Sequence, residues 1–269
     1  MVLKDYAIRK KNKVNEELRL SVSKSKCFNQ CKKQFQFNYL LKFPKKERDY
    51  HISGKFCHST LEWFHNQYIA GSSLPYNTTM ADAFKFAWSE YKEKMTPEMK
   101  KECWEIINNY LRSITGKKMT ALSMEKRFEL NIGENVILNG AIDFIKIDDD
   151  NVLHVSDYKT TKNKKYLVGD WFQLLTYCYV LYMEDPTITK IRASYILLRH
   201  NSEYITKEFV LDDFLVMKEK YIKYAELIRN EKEYAPTTSQ LCNYCDYQEH
   251  CPKGLSMSRE KTVYGEVAW

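Results

Sequence analysis

The apolar residues of this chain change their period part-way along it, and that change limits the fold more than any other feature of the sequence. Between residues 20 and 115 they recur at helical spacing. Phe28, Cys31, Phe35 and Tyr39 fall on one stripe of a helix opened by Ser21 or Ser23, and Cys57, Leu61, Phe64 and Tyr68 form another over 54–69. Two further helical patterns cover 81–91 and 102–114, so the first 115 residues read as all-helical. From there the pattern is that of strands: 125–130, 136–147 and 152–159, with turns at Gly133-Glu134 and 148–151. A helix over 171–183, strands over 191–199 and 204–210 and a helix over 214–230 follow. Strands alternating with helices behind a helical region make an α/β chain. No repeat or flexible linker interrupts it, so one domain over 1–269 is expected, with a helical region at 20–115 and an α/β core at 120–230.

Charge adds a candidate partner. The net charge is +7, but residues 1–50 hold 14 Lys and Arg against 5 acids, a local +9, while the other 219 residues carry 28 against 30. Interleaved with Phe35, Phe37, Tyr39 and Phe43, this basic segment suits a polyanion whose bases can stack, and Lys24, Lys26, Lys32 and Lys33 are its candidate phosphate contacts. A solvated basic helix face is the competing reading. No run approaches the roughly 18 apolar residues of a membrane helix, and Met1 to Lys13 has no apolar signal core, so a cytoplasmic protein that does not engage a membrane is expected.

Eight cysteines in a reducing compartment point away from disulfides. Cys242, Cys245 and Cys251 form C-x2-C-x5-C, a spacing for soft-metal thiolates. A fourth ligand must come from nearby, where His250 would give zinc, or from a distant cysteine. Cys103 and Cys178 sit in apolar helical contexts and read as packing residues.

The strand region carries carboxylates in a pattern with chemistry. Gly140-Ala141-Ile142-Asp143 is followed 14 residues beyond Asp143 by Asp157-Tyr158-Lys159-Thr160. Adjacent strands joined by a tight turn can bring Asp143 and Asp157 to one end of a sheet, and two carboxylates there suit Mg²⁺ or Mn²⁺. Lys159, two residues past Asp157, lies on the same strand face, where a cation can stabilise negative charge developing on a phosphate.

These elements, taken in order, resemble the PD-(D/E)XK nuclease superfamily, and within it the RecB-like branch that includes AddB and the CRISPR-associated iron-sulfur nucleases. The resemblance spans residues 20–252. Leu20-Ser21-Val22-Ser23 leading to Cys31 is like the family's S-x-S start before its cysteine, although Lys32 stands where the family has proline. Gly54 to His58 is similar to G-x-x-x-H, and Gly140 to Asp143 and Asp157 to Thr160 are similar to the next two motifs. Gln173 to Tyr177 is like the Q-L-x-x-Y helix, and the cysteine triplet closes the series.

The resemblance implies a restriction-endonuclease-like core with a mixed central sheet flanked by helices. His58, Asp143, Asp157 and the backbone carbonyl of Tyr158 would hold the divalent metal. Lys159 would assist the attacking water, and Gln173 and Tyr177 would face the site. Glu62, one turn beyond His58, is a conceivable extra ligand. The resemblance also implies a 4Fe-4S cluster on Cys31, rather than Cys27, with Cys242, Cys245 and Cys251 from the 236–252 segment, an iron-sulfur staple joining the N- and C-terminal parts. The implied activity is metal-dependent hydrolysis of DNA, as an exonuclease on single strands or ends in recombination, repair or DNA processing. The rival expectations are a non-catalytic nucleic-acid-binding subunit, or a nuclease subunit whose helicase or recombination partner is a separate chain.

Overall fold

A computed structural model of the chain describes residues 17–253. They fall into two compact units: the first comprises the chain to Lys46, Asn131–Leu138 and the chain from Glu219, and the second comprises Glu47–Leu130 and Asn139–Lys218.

The first unit opens with a short strand, β1 (Leu18–Leu20), which pairs in parallel with Val136–Leu138 and buries Leu20. Three residues are too few to display a period of two, so the all-helical expectation for the first 115 residues is corrected here. Helix α1 (Val22–Gln30) begins where Ser21 Oγ accepts the Lys24 N–H at 3.2 Å. The expected continuous stripe through Tyr39 is broken at Cys31, which is extended at φ −158°. Its sulfur then accepts the Gln34 N–H at 3.5 Å and starts α2 (Lys32–Phe35), which runs into a π-helical turn at Gln36–Leu40. Phe28 and Phe35 remain buried and meet edge-on at 5.1 Å, with Tyr234 stacked on Phe35.

In the second unit, α3 (Asp49–Ile69), α4 (Tyr76–Tyr91) and α5 (Pro97–Ile114) bury one continuous core. Phe56, Leu61 and Phe64 of α3 meet Met80 and Ala83 of α4 and Ile107 and Tyr110 of α5. Proline at the first turn of α5, behind a Thr96 cap to Met99 N–H, fixes where that helix begins. The strands are β2 (Ala121–Asn131), β3 (Val136–Ile147), β4 (Leu153–Lys159), β5 (Lys190–Leu197) and β6 (Glu203–Val210). They hydrogen-bond in the order β3, β4, β5, β6, with β2 also on β3. β3 and β4 are antiparallel, β4 and β5 parallel, β5 and β6 antiparallel, so the sheet is mixed. The parallel pair is connected by α6 (Phe172–Glu184), which packs on both strands, while Phe144, Tyr158 and Ile196 face the α3–α5 core. This is an α/β fold with a mixed sheet flanked by helices. The helix expected over 214–230 is two, α7 (Leu211–Leu215) and α8 (Met217–Asn230), separated at Val216.

Candidate metal centre

Register sets the first two carboxylates. The β3–β4 ladder ends with Phe144 opposite Ser156, and Asp143 and Asp157 are the next residues of the two strands beyond that pair. The Tyr158 N–H donates to Asp143 Oδ2 at 2.9 Å, so the Asp143 side chain is fixed across β3 and β4. Helix α3 supplies His58, whose Nδ1 stands 3.5 Å from Asp143 Oδ2 and 3.6 Å from Glu125 Oε1. Its Nε2 is 3.1 Å from the Tyr158 carbonyl oxygen. Gly54, one turn before His58, brings the helix against β4: a Cβ there would sit 3.2 Å from Thr160 Oγ1.

Asp157 is held from the α6 side. Its Oδ1 accepts from Gln173 Nε2 at 2.5 Å and from the Tyr177 hydroxyl at 3.3 Å, and its Oδ2 is 2.5 Å from Lys159 Nζ. Gln173 also donates to the Tyr177 oxygen at 2.7 Å, and its Oε1 accepts from Lys159 at 3.0 Å. Spacing explains this: residues 173 and 177 are one helical turn apart, and 157 and 159 share a strand face.

Glu125 was not among the residues the sequence singled out. It lies on β2 at φ +45°, a left-handed conformation in mid-strand that turns its carboxylate towards His58 and Asp143. No spacing or motif announces such a backbone. One ligand atom each from His58, Glu125 and Asp143 all lie within 4.8 Å of one another. The Tyr158 carbonyl faces His58 Nε2, and the Asp157 carboxylate faces Lys159, Gln173 and Tyr177. Glu62 lines the adjoining cleft with His58 and Glu125.

The electrostatics follow from crowding. Burial and the neighbouring Asp157 push Asp143 up to about 7, against the opposing pull of His58. Burial alone would lower His58, but the Glu125 hydrogen bond and the charges of Asp143 and Asp157 raise it to about 9. Burial likewise opposes the ammonium of Lys159, and Asp157 outweighs it, so Lys159 is raised. Asp143, whose carboxyl holds its proton so tightly, is a ready seat for a cation. Oxygen donors with one imidazole fit a hard divalent ion, so the residues present fit the metal that this arrangement implies.

A profile of the PD-(D/E)XK nuclease superfamily matches residues 19–252. The chain belongs to the PD-(D/E)XK nuclease superfamily. Among individual proteins, this PD-(D/E)XK chain is 27% identical over 238 residues to a subunit of the ATP-dependent helicase/deoxyribonuclease of Streptococcus agalactiae serotype III, covering 82% of this chain and 22% of that subunit. The same subunit of serotype Ia matches equally. The chain therefore spans about a fifth of the length of these curated relatives. A solved chain from Eubacterium rectale aligns over 89% of each chain at 14% identity and a TM-score of 0.47.

In the first unit, Cys31, Cys242, Cys245 and Cys251 line one cavity. Cys31 Sγ accepts from Gln34 N–H and Cys242 Sγ from Ser239 N–H, both at 3.5 Å. Burial and then the other three thiols raise Cys245. His250 instead packs its ring against Phe43 at 4.9 Å and Phe37 at 6.3 Å. Of the candidate lysines, Lys24 donates to the Arg19 carbonyl at 2.6 Å, Lys32 pairs with Glu231 at 2.6 Å and Lys33 donates to Gln36 at 2.8 Å. The basic residues before Glu17 lie outside the described residues. Among the described residues no helix is long and apolar enough to cross a membrane.

Proposed function

We propose that this PD-(D/E)XK chain is a Mg²⁺- or Mn²⁺-dependent deoxyribonuclease that hydrolyses phosphodiester bonds of single-stranded DNA or DNA ends as an exonuclease. The observation that carries the reading is the convergence of His58, Glu125 and Asp143 beside an Asp157 tied to Lys159. His58 through Nδ1, Glu125, Asp143 and Asp157 would hold the ion, which when bound polarises the phosphate and acidifies a water. The Tyr158 carbonyl accepts the Nε2–H of His58 and so keeps Nδ1 turned inward. Lys159 brings a fixed positive charge to the edge of the carboxylates, where it stabilises negative charge developing on a scissile phosphate. Gln173 and Tyr177 position the Asp157 carboxylate and, through Gln173 Oε1, the Lys159 ammonium.

A 4Fe-4S cluster on Cys31, Cys242, Cys245 and Cys251 belongs to the same proposal. It is supported by the shared cavity, by backbone N–H groups aimed at two of the sulfurs, and by the packing of His250 among aromatic rings, away from the role of a zinc ligand. Anaerobically purified protein should be brown with about four irons per chain, and stoichiometric zinc in a colourless protein would overturn this part.

The likeness to a subunit of a helicase/deoxyribonuclease favours a second reading, in which the chain works beside a motor protein. The deciding experiment is incubation of the purified chain with end-labelled single- and double-stranded DNA and Mg²⁺ or Mn²⁺, with and without EDTA. EDTA-sensitive cleavage that releases nucleotides from an end supports the nuclease reading; strand binding without cleavage would replace it with a non-catalytic subunit.

A further inference from the structure

A cleft of about 730 Å³ in the second unit begins at His58 and Glu125 and runs outward between α3 and α4. Helix α3 lays a line along it, with His58, then Glu62 one turn on, then Asn66 two turns on. At its outer part Trp63 of α3 and Phe86 of α4 stack, with ring centroids 6.0 Å apart and planes 28° from parallel. Phe84, two residues earlier on α4, is buried in the core, whereas Phe86 is 42% exposed. The core is therefore complete without Phe86, and its ring is held at the surface by Trp63.

The chemistry of the walls selects what fits. Beyond the metal ligands the cleft is lined by Glu62 and Glu90, and its Lys55 is paired with Glu47 at 3.2 Å, so a phosphate placed there would meet like charge, whereas a neutral planar ring would not. Asn66 is exposed and offers both an amide donor and an acceptor to the edge of such a ring. We infer that the Trp63–Phe86 pair is a stacking shelf for an unpaired nucleobase of the strand whose phosphate lies at the carboxylates. This inference rests on the nuclease reading and deepens it. A base locked in a duplex has no free face to offer, so the shelf makes the site selective for single strands.

The test is binding, read by fluorescence anisotropy in EDTA so that no cleavage intervenes, with a labelled oligothymidylate and a labelled oligomer of the same length whose backbone carries no bases. Wild-type protein should prefer the thymidylate. Trp63→Ala should weaken thymidylate binding by about 10-fold, within the range for losing one stacked base, and leave the baseless strand unchanged. Phe86→Ala, at an exposed position, should reduce the preference without disturbing the fold, and Trp63→Phe should keep most of it. Equal affinity of wild type and both alanine variants for thymidylate would overturn the shelf while leaving the nuclease reading standing, as would equal losses on both strands. Failure of the wild type to bind any single strand in EDTA would overturn the shelf, and the nuclease reading falls with it only if EDTA-sensitive cleavage is also absent in the Mg²⁺ or Mn²⁺ assay.

Discussion

At the scale of single residues, Glu125 shows how a site can be assembled at the expense of local geometry. A non-glycine residue at φ +45° costs about 1–3 kcal/mol, and the surrounding strands must enforce it. Glycine adopts that conformation without the penalty but brings no carboxylate. Glu125→Gly is therefore expected to change stability by less than about 1 kcal/mol, because strain relief offsets the greater freedom of the unfolded chain, while Mn²⁺ affinity falls about 10-fold. Calorimetric Mn²⁺ titration beside urea denaturation checks this; unchanged Mn²⁺ affinity would remove Glu125 from the site. Lys159 separates binding from chemistry. Lys159→Ala should keep Mn²⁺ binding and lose about 10²-fold or more in turnover, since it removes a fixed charge rather than a metal donor. Loss of Mn²⁺ binding in that variant would mean that Lys159 mainly holds Asp157 in place. Asp143, Asp157 and Lys159 could be singled out in the sequence by strand period and spacing, and Gln173 and Tyr177 through the resemblance to the family's Q-L-x-x-Y helix, whereas the position of Glu125 depends on one backbone angle that no pattern encodes.

At the scale of elements, the spacing of glycines is explained by close approach. A Cβ on Gly140 of β3 would come within 2.8 Å of the Phe128 ring of β2, a distance that real Cβ contacts do not show. Gly140→Ala should cost about 1–3 kcal/mol, and adding Phe128→Leu should return part of it, because the smaller side chain makes room. Thermal denaturation of the single and double variants decides; an alanine variant as stable as wild type would show that the ring moves freely. The bounds of β3 were readable from the sequence because its apolar run is long and closed by turns at both ends. β1 was not, because three residues carry no period, and its place comes from pairing with residues more than a hundred positions away. The break at Cys31 was hidden for a related reason: the apolar stripe continues through it, and only the sulfur's acceptance of the Gln34 N–H reveals a new helix start.

At the scale of the whole molecule, charge governs two expected behaviours. The surplus of +9 in residues 1–50 should make strand binding salt-dependent, but its lysines differ. Lys32 is paired with the Glu231 carboxylate, while Lys24 and Lys33 donate to neutral oxygens. If Lys24 and Lys33 meet phosphates, Lys24→Gln with Lys33→Gln should reduce the slope of log K against log salt by about 0.7 for each phosphate no longer neutralised. Lys32→Gln should instead leave the slope unchanged. Anisotropy titrations across salt concentrations measure this, and an unchanged slope in the double variant would assign the segment to solvent.

The second behaviour is acid sensitivity. Asp148 is gripped by Lys146 at 2.6 Å, Arg192 at 2.5 Å and His154 at 2.9 Å, and these partners overcome its burial to hold its carboxyl down at about 2. A carboxylate whose folded pKa is depressed stabilises the fold above its unfolded pKa of about 3.9 and loses that contribution as pH falls towards 2. Solvent screening at this partly exposed site reduces the contribution to about 1 kcal/mol. Four of the five tryptophans, Trp63, Trp88, Trp104 and Trp171, lie in the same compact unit as Asp148, so their fluorescence reports the unfolding of that unit. Urea denaturation followed this way should place Asp148→Asn below wild type at pH 6, with the gap closing as pH is lowered from about 4 towards 2. The closing follows because wild type then loses a charge that the amide never had. A gap that stays constant over that range would mean that Asp148 contributes through the shape of its hydrogen bonds and not through its charge.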